Sequence, residues 1–470
     1  MYRKALAVLM SAALTSAALV VLTAAPAAAA SCHAGTPSDF NGDGIADAVI
    51  AEPGDGGGRV HILYGTRSGL TATASGTALA NQLIISPEET FGGFGDAMAT
   101  GDFNGDGCTD LAVDDRETTI NGALDAGTVR IYLGSPTGVG LLKASITRAT
   151  FGETPGQNNL FGMALAAGDF TGDGVADLVI GSPQEASHAG EIYILAGSKT
   201  DSFTTGKHFK QGDGIVPGSS ETNDNFGFSL AVGDFDGDHH TDLAVGDPGE
   251  NSSAGTVVIL RGSGSSSMLT TTGHQTWSQN SSGIPGTSEA GDRFGVSLAV
   301  GDFNGDKHPD LAVGVPNEAD GSVVNGGLVN VIYGSSTGLK STGAQAWTQN
   351  STGVAGTANS GDLFGYSLAA GDFNGGGKTD LAIGVPQEGL GSAGMAGSVN
   401  VLVGAAKGLS ASGSSQWNQS SAGIAGTAEE GDFWGWSLAA LPIRSATRDD
   451  LLVGVPFEDT GSAFNNGAAE

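Results

Sequence analysis

Basic residues are scarce: 19 Lys and Arg stand against 50 Asp and Glu in 470 residues, a net charge of −31 at neutral pH. A surface of that sign repels nucleic acid and anionic lipid, so neither is expected as a partner. Charged residues of both signs make up only 15% of the chain while Gly contributes 79 residues, which argues against a helix-rich protein. Cysteine is nearly absent. Cys32 and Cys108 are the two present; after export they could pair or stand as separate thiols, and spacing does not decide between these. Beyond the first 30 residues no run is long and apolar enough to span a bilayer. What remains is a 39% hydrophobic fraction, enough to exclude wholesale disorder, in a composition that suits short strands joined by tight turns.

Residues 1–30 read as a secretory signal. Arg3 and Lys4 form a basic start, an apolar run follows from Ala5 to Leu22, and Ala28 and Ala30 supply small residues before a cut ahead of Ser31. Its removal lowers the net charge from −31 to −33. The expected product is a soluble, secreted, extracellular monomer.

The body is repetitive, and the repeat governs every later reading. Acidic segments begin at Asp39, Asp102, Asp169, Asp234, Asp302 and, in degraded form, Asp372, with a last remnant at Pro442–Asp450; successive starts lie 63, 67, 65, 68, 70 and 70 residues apart. An aromatic–glycine pair stands eight residues before each segment from the second onward: Phe94-Gly95, Phe161-Gly162, Phe226-Gly227, Phe294-Gly295, Phe364-Gly365 and Trp434-Gly435. A Gly-x-Pro triplet closes the apolar stretch after the segment, as at Gly181–Pro183, Gly246–Pro248, Gly314–Pro316, Gly384–Pro386 and Gly454–Pro456. The repeats divide the chain at about 31–91, 92–158, 159–223, 224–291, 292–361, 362–431 and 432–470.

Each repeat reads as four strands, exemplified by Ser297–Phe303, Asp310–Gly314, Leu328–Tyr333 and the segment around Trp277, Trp347 or Trp417. Tandem four-stranded repeats suit a radial β-propeller of antiparallel blades. The aromatic of each pair is expected to fill the space between sheets, with its glycine allowing close backbone approach. The three period-70 tryptophans are read as structural rather than ligand-stacking.

Together the Phe-Gly pair, the acidic segment and Gly-x-Pro resemble the FG-GAP repeat of integrin alpha-subunit N-terminal propellers and of many secreted bacterial proteins. The resemblance covers residues 31–470 and implies an all-β, seven-bladed propeller with calcium in loops on one face. It fixes no ligand. Two departures bear on closure. Repeat one has Ser31-Cys32 where the aromatic pair belongs, and its first strand would be the poor segment His33–Ser38; repeat seven ends where a third strand would begin. The expected strand count is three or four, then twenty, then two, so the first and last blades are incomplete.

The acidic segments place oxygen side chains at positions 1, 3, 5 and 9, with the carbonyl of position 7 between them. In loop one these are Asp39, Asn41, Asp43, Ile45 and Asp47, and in loop two Asp102, Asn104, Asp106, Cys108 and Asp110. Loop three has Asp169, Thr171, Asp173, Val175 and Asp177; loop four Asp234, Asp236, Asp238, His240 and Asp242; loop five Asp302, Asn304, Asp306, His308 and Asp310. Hard oxygen donors in a flexible, Gly-curled loop favour Ca²⁺ over Mg²⁺. A strand begins at position 9, which rejects an EF-hand. Asp, Asn and Gly are also ordinary turn formers, but turns do not need three converging carboxylates five times over. Loop six has Gly376 at position 5, so occupancy there is doubtful, and loop seven, with Pro442, Arg444 and Ala446, is expected to bind nothing. The calcium is read as structural and weakly held, at about 10⁻⁴ to 10⁻³ M.

No Gly-x-Ser-x-Gly elbow, His-Glu-x-x-His or phosphate loop appears. His239-His240 resemble a zinc pair but lie inside loop four, where surface loop residues are the expected reading. An enzyme is therefore not expected. The favoured function is a protein- or surface-interaction (adhesion) module; a lectin-like glycan binder and an extracellular hydrolase or lyase are the alternatives.

Overall fold

The computed structural model describes residues 32, 36, 38–52, 58–66, 68–70, 81–86, 93–445, 447–458 and 468–469. The leader and most of the expected first strand of repeat one lie outside them. Among the described residues every named strand is antiparallel to its sheet neighbour, and each of the seven main sheets is a meander in chain order. Five have four strands. The fifth, for example, is Leu298–Gly301, Asp310–Val315, Leu328–Tyr333 and Lys340–Trp347. The first shows three among the described residues, Ala48–Glu52, Arg59–Leu63 and Gln82–Ile85, which correspond to the second, third and fourth strands of the others. The seventh also has three: Ser437–Ser445 and Arg448–Val455 are joined by the two-residue strand Ala468–Ala469, which pairs with Val455 and Gly454. The sequence reading of two strands there missed this short piece, since two alanines carry no alternation.

The first two strands of a sheet are short and Gly-punctuated because the acidic segment is the hairpin between them. Its position-9 acid opens the second strand and pairs with the last Gly of the first, as in Gly301↔Asp310, Gly168↔Asp177 and Gly371↔Asp380. The second and third strands are near-continuous apolar runs, buried along their whole length in the second to fifth sheets. Burial on both sides follows from face-to-face stacking. One apolar cluster fills the gap between each successive pair of sheets, six in all. At the far end Ser437–Ser445 of the seventh sheet packs against a small hairpin of the first repeat, Gly65–Thr66 with Gly69–Leu70, where Gly69 lies against the Arg444 side chain.

The aromatic–glycine pair fixes the spacing of the sheets. Phe94, Phe161, Phe226, Phe294, Phe364 and Trp434 are all buried to within 1%. Glycine partners on the preceding sheet make room for the backbone of each pair. A Cβ on Gly327 (φ +83°) would lie 2.2 Å from Phe364 O, and one on Gly314 would lie 2.1 Å from Gly365 O. Ser297 Oγ donates to that same Gly365 O at 2.7 Å. Of the three tryptophans, Trp277 and Trp347 pack against core clusters, while Trp417 is 39% exposed and donates from Nε1 to Ser415 Oγ.

Candidate metal loops

In loops one to five the acids at positions 1, 5 and 9 share one hydrogen-bond pattern. The position-1 acid curls the loop by accepting from backbone N–H groups: Asp39 from Asp43 and Gly44, Asp102 from Gly105, Asp106 and Gly107, Asp302 from Gly305, Asp306 and Lys307. The position-5 acid accepts from the residue at position 7: Asp43 from Ile45, Asp106 from Cys108, Asp173 from Val175, Asp238 from His240 and Asp306 from His308. Position 3 accepts less uniformly. Asn41, Asn104, Asp236 and Asn304 take the N–H of position 5, whereas the Thr171 hydroxyl turns to Asp169. The position-9 acid joins two hairpins: Asp310 accepts from Phe303 N–H at 2.9 Å and from Gly334 N–H at 2.8 Å.

That last carboxylate is sealed in the protein, as is Asp39 of loop one, while the position-5 acids face water. Asp47, Asp110, Asp242 and Asp310 are fully buried and Asp177 is 1% exposed. Burial is the largest influence on each, opposed by backbone N–H donors and reinforced by the neighbouring acids; it pushes Asp47, Asp110 and Asp310 up to about 7 and Asp177 and Asp242 up to about 6. A buried carboxylate surrounded by like charge is in electrostatic debt, and a divalent cation bound by the same oxygens offsets it. The side-chain donors of loops one, two, three and five are all hard oxygens, the class calcium takes, but among the described residues loop four alone of the five brings three carboxylate oxygens within 4.8 Å of one another.

Loop four differs. Its Asp234, Asp236 and Asp242 oxygens lie within 4.8 Å of one another, but a guanidinium is already among them. Arg261, 6% exposed, reaches Asp242 Oδ2 at 2.8 Å and Asp236 Oδ2 at 3.0 Å through Nη1. Arg261 stands at the end of the third strand, one residue before the Gly that caps Asp242; Leu133 and Tyr333 hold that place in loops two and five. The sequence reading missed it because the contact crosses 19 residues. His239 and His240 do not form a zinc pair with a third ligand: the His239 side chain is 95% exposed, and His240 Nδ1 faces its own Asp238. Loop six closes on itself, with Asn374 Nδ2 donating to both Asp380 oxygens at 2.8 Å. In loop seven the guanidinium of Arg444 clasps the surviving Asp450. Cys108 of loop two is disulfide-bonded to Cys32, with Cα atoms 4.9 Å apart, which resolves the open question of their pairing.

These features define an all-β tandem-repeat protein whose sheets each carry an acidic hairpin at one end. The FG-GAP repeat family matches residues 161–195, 226–260, 294–329 and 364–402, and the FG-GAP-like repeat family matches 39–113. The chain carries FG-GAP repeats over those residues. It is similar to integrin alpha-PS2 of Drosophila melanogaster, 28% identical over 239 residues, and to integrin alpha-7 of Mus musculus, 33% identical over 213 residues. It is also similar to phosphatidylinositol-glycan-specific phospholipase D of Homo sapiens, 36% identical over 154 residues. These matches cover 48%, 44% and 32% of the chain but only 15%, 15% and 18% of the relatives. Among the described residues no helix is long and apolar enough to cross a membrane.

Proposed function

We propose that this chain is an exported, calcium-stabilised, seven-bladed propeller that serves as a protein- or surface-interaction module rather than an enzyme. The observation that carries the functional reading is the match of its repeats to those of integrin alpha chains. Seven successive sheets, an apolar cluster in each of six gaps and the packing of the seventh sheet on the first repeat support a closed ring. The shared oxygen pattern of loops one, two, three and five supports calcium, bound on the face where first and second strands join.

An ion held at tenfold excess over its dissociation constant stabilises the folded state by about 1.4 kcal/mol per site. Four such loops acting independently contribute several times that. Calorimetry of the full chain in millimolar calcium and in chelator tests the structural part: the melting temperature falls in chelator, and identical melting in both rejects it. Surface-plasmon binding to purified matrix proteins tests the module. Saturable binding lost in chelator supports it; turnover of an extracellular polymer without such binding rejects it in favour of a hydrolase.

A further inference from the structure

The opposite ends of the sheets carry a second set of carboxylates. In the fifth sheet, Asp292 precedes the aromatic pair by two residues and Glu318 follows the Gly-x-Pro proline by two. One therefore enters the first strand and the other leaves the second, at the far end from loop five. A six-residue strand separates the two ends by about 20 Å. Glu289 joins them, and the three carboxylates lie within 4.8 Å of one another. The same positions give Glu221, Asp224 and Glu250 at the fourth sheet and Glu429, Asp432 and Glu458 at the seventh.

Each cluster also receives a glutamine from the end of the preceding sheet. Gln279 Nε2 donates to Glu318 at 2.7 Å, Gln419 Nε2 donates to Glu458, and Gln211 Nε2 donates to Asp247 at 2.7 Å and Glu250 at 3.3 Å. These glutamines are only 4–5% exposed, yet the amide oxygen of each has no partner. In the fourth-sheet cluster the fully buried Asp247 leaves Oδ1 without a partner as well. Burial, with the neighbouring acids, pushes Glu318 up to about 7 and Asp247 up to about 9. A half-turn of each amide would aim its oxygen at the carboxylates, completing a set of hard donors.

The third sheet supplies an internal contrast. There Arg148 takes the place of the glutamine, 5% exposed, and pairs with Glu185 at 3.1 Å, the counterpart of Glu318. Asn159 replaces the aspartate. At the aligned positions the third sheet keeps one acid, Glu185, and Arg148 supplies it with a cation, which Glu153 shares at 3.6 Å; in the three clusters a neutral glutamine stands in that place.

We propose that the three clusters are a second series of divalent-cation sites, of the calcium class, each clipping one sheet to the next through the glutamine. The proposal goes beyond the acidic loops, and its test separates the two. Equilibrium dialysis of calcium against the full chain counts bound ions. Gln279→Arg and Gln419→Arg, which copy Arg148, are expected to remove one ion for each cluster altered and to raise the melting temperature in chelator. Terbium emission excited through Trp277 and Trp417, two residues from these glutamines, should fall in parallel. Asp106→Asn should remove only a loop ion. A folded Gln279→Arg, Gln419→Arg chain with an unchanged ion count overturns the proposal, whatever Asp106→Asn does; the converse pattern overturns the loop reading alone. Should Glu318→Gln fail to fold, the arginine variants still decide.

Discussion

Arg261→Leu is the sharpest probe of whether loop four is built for a cation. Leucine is the residue at the corresponding Leu133, so the substitution keeps apolar bulk and deletes only the charge and its hydrogen bonds. Arg261 bonds Asp242 and Asp236 and also donates from Nε to Gly273 O at 3.0 Å. Removing one member of a buried ion pair costs about 3–5 kcal/mol, because the partner stays buried and uncompensated. That full loss is expected in chelator. In calcium the freed Asp236 and Asp242 can take an ion, and at ten- to hundredfold excess over the dissociation constant about 1.4–2.7 kcal/mol returns. Urea unfolding in both buffers reads the difference, and dialysis should count one more bound ion. Equal losses in calcium and in chelator, with no added ion, would show that the loop is an ordinary salt-bridged turn.

Two further outcomes follow from the packing and the charges. Gly327→Ala places a Cβ 2.2 Å from Phe364 O at a φ of +83°, so left-handed strain and overpacking together cost about 2–5 kcal/mol by urea unfolding; Gly321→Ala, also at positive φ but with open space around it, costs about 1 kcal/mol. Glu388 faces the Gln349 amide and Asp362, and burial raises it from 4.5 to about 7. The folded state therefore holds its proton more tightly than the unfolded chain does. Its stabilising contribution is present below pH 4.5 and lost as pH rises through 7. Glu388→Gln should thus gain on the parent by about 1–3 kcal/mol at pH 8, after allowance for screening, and show no gain at pH 4; a pH-independent difference contradicts this.

The acidic hairpins and aromatic–glycine pairs were legible because each repeats at fixed offsets, and the fold needs those residues wherever a sheet meets its neighbour. The glycines that receive the aromatic pair, such as Gly127, Gly190, Gly255, Gly327 and Gly397, sit just before the third strand in every case. A self-alignment extended past Gly-x-Pro would have found them, and the recurring Glu two residues beyond. What sequence could not yield is partnership across sheets. Gln279 and Glu318, 39 positions apart, meet only because sheets stack, and Arg261 and Asp236, 25 apart, meet only because the strands of the fourth sheet pair. Arg148 and Gln211 occupy equivalent places with opposite consequences for charge, a distinction visible only once their neighbours are known.

The Cys32–Cys108 bond has a mechanical consequence. It ties the start of the first repeat directly to the second repeat's hairpin across a sequence separation of 76, enclosing the three described strands of the first sheet in a covalent loop. If those strands open, the freed segment stays tethered at both ends to the second repeat.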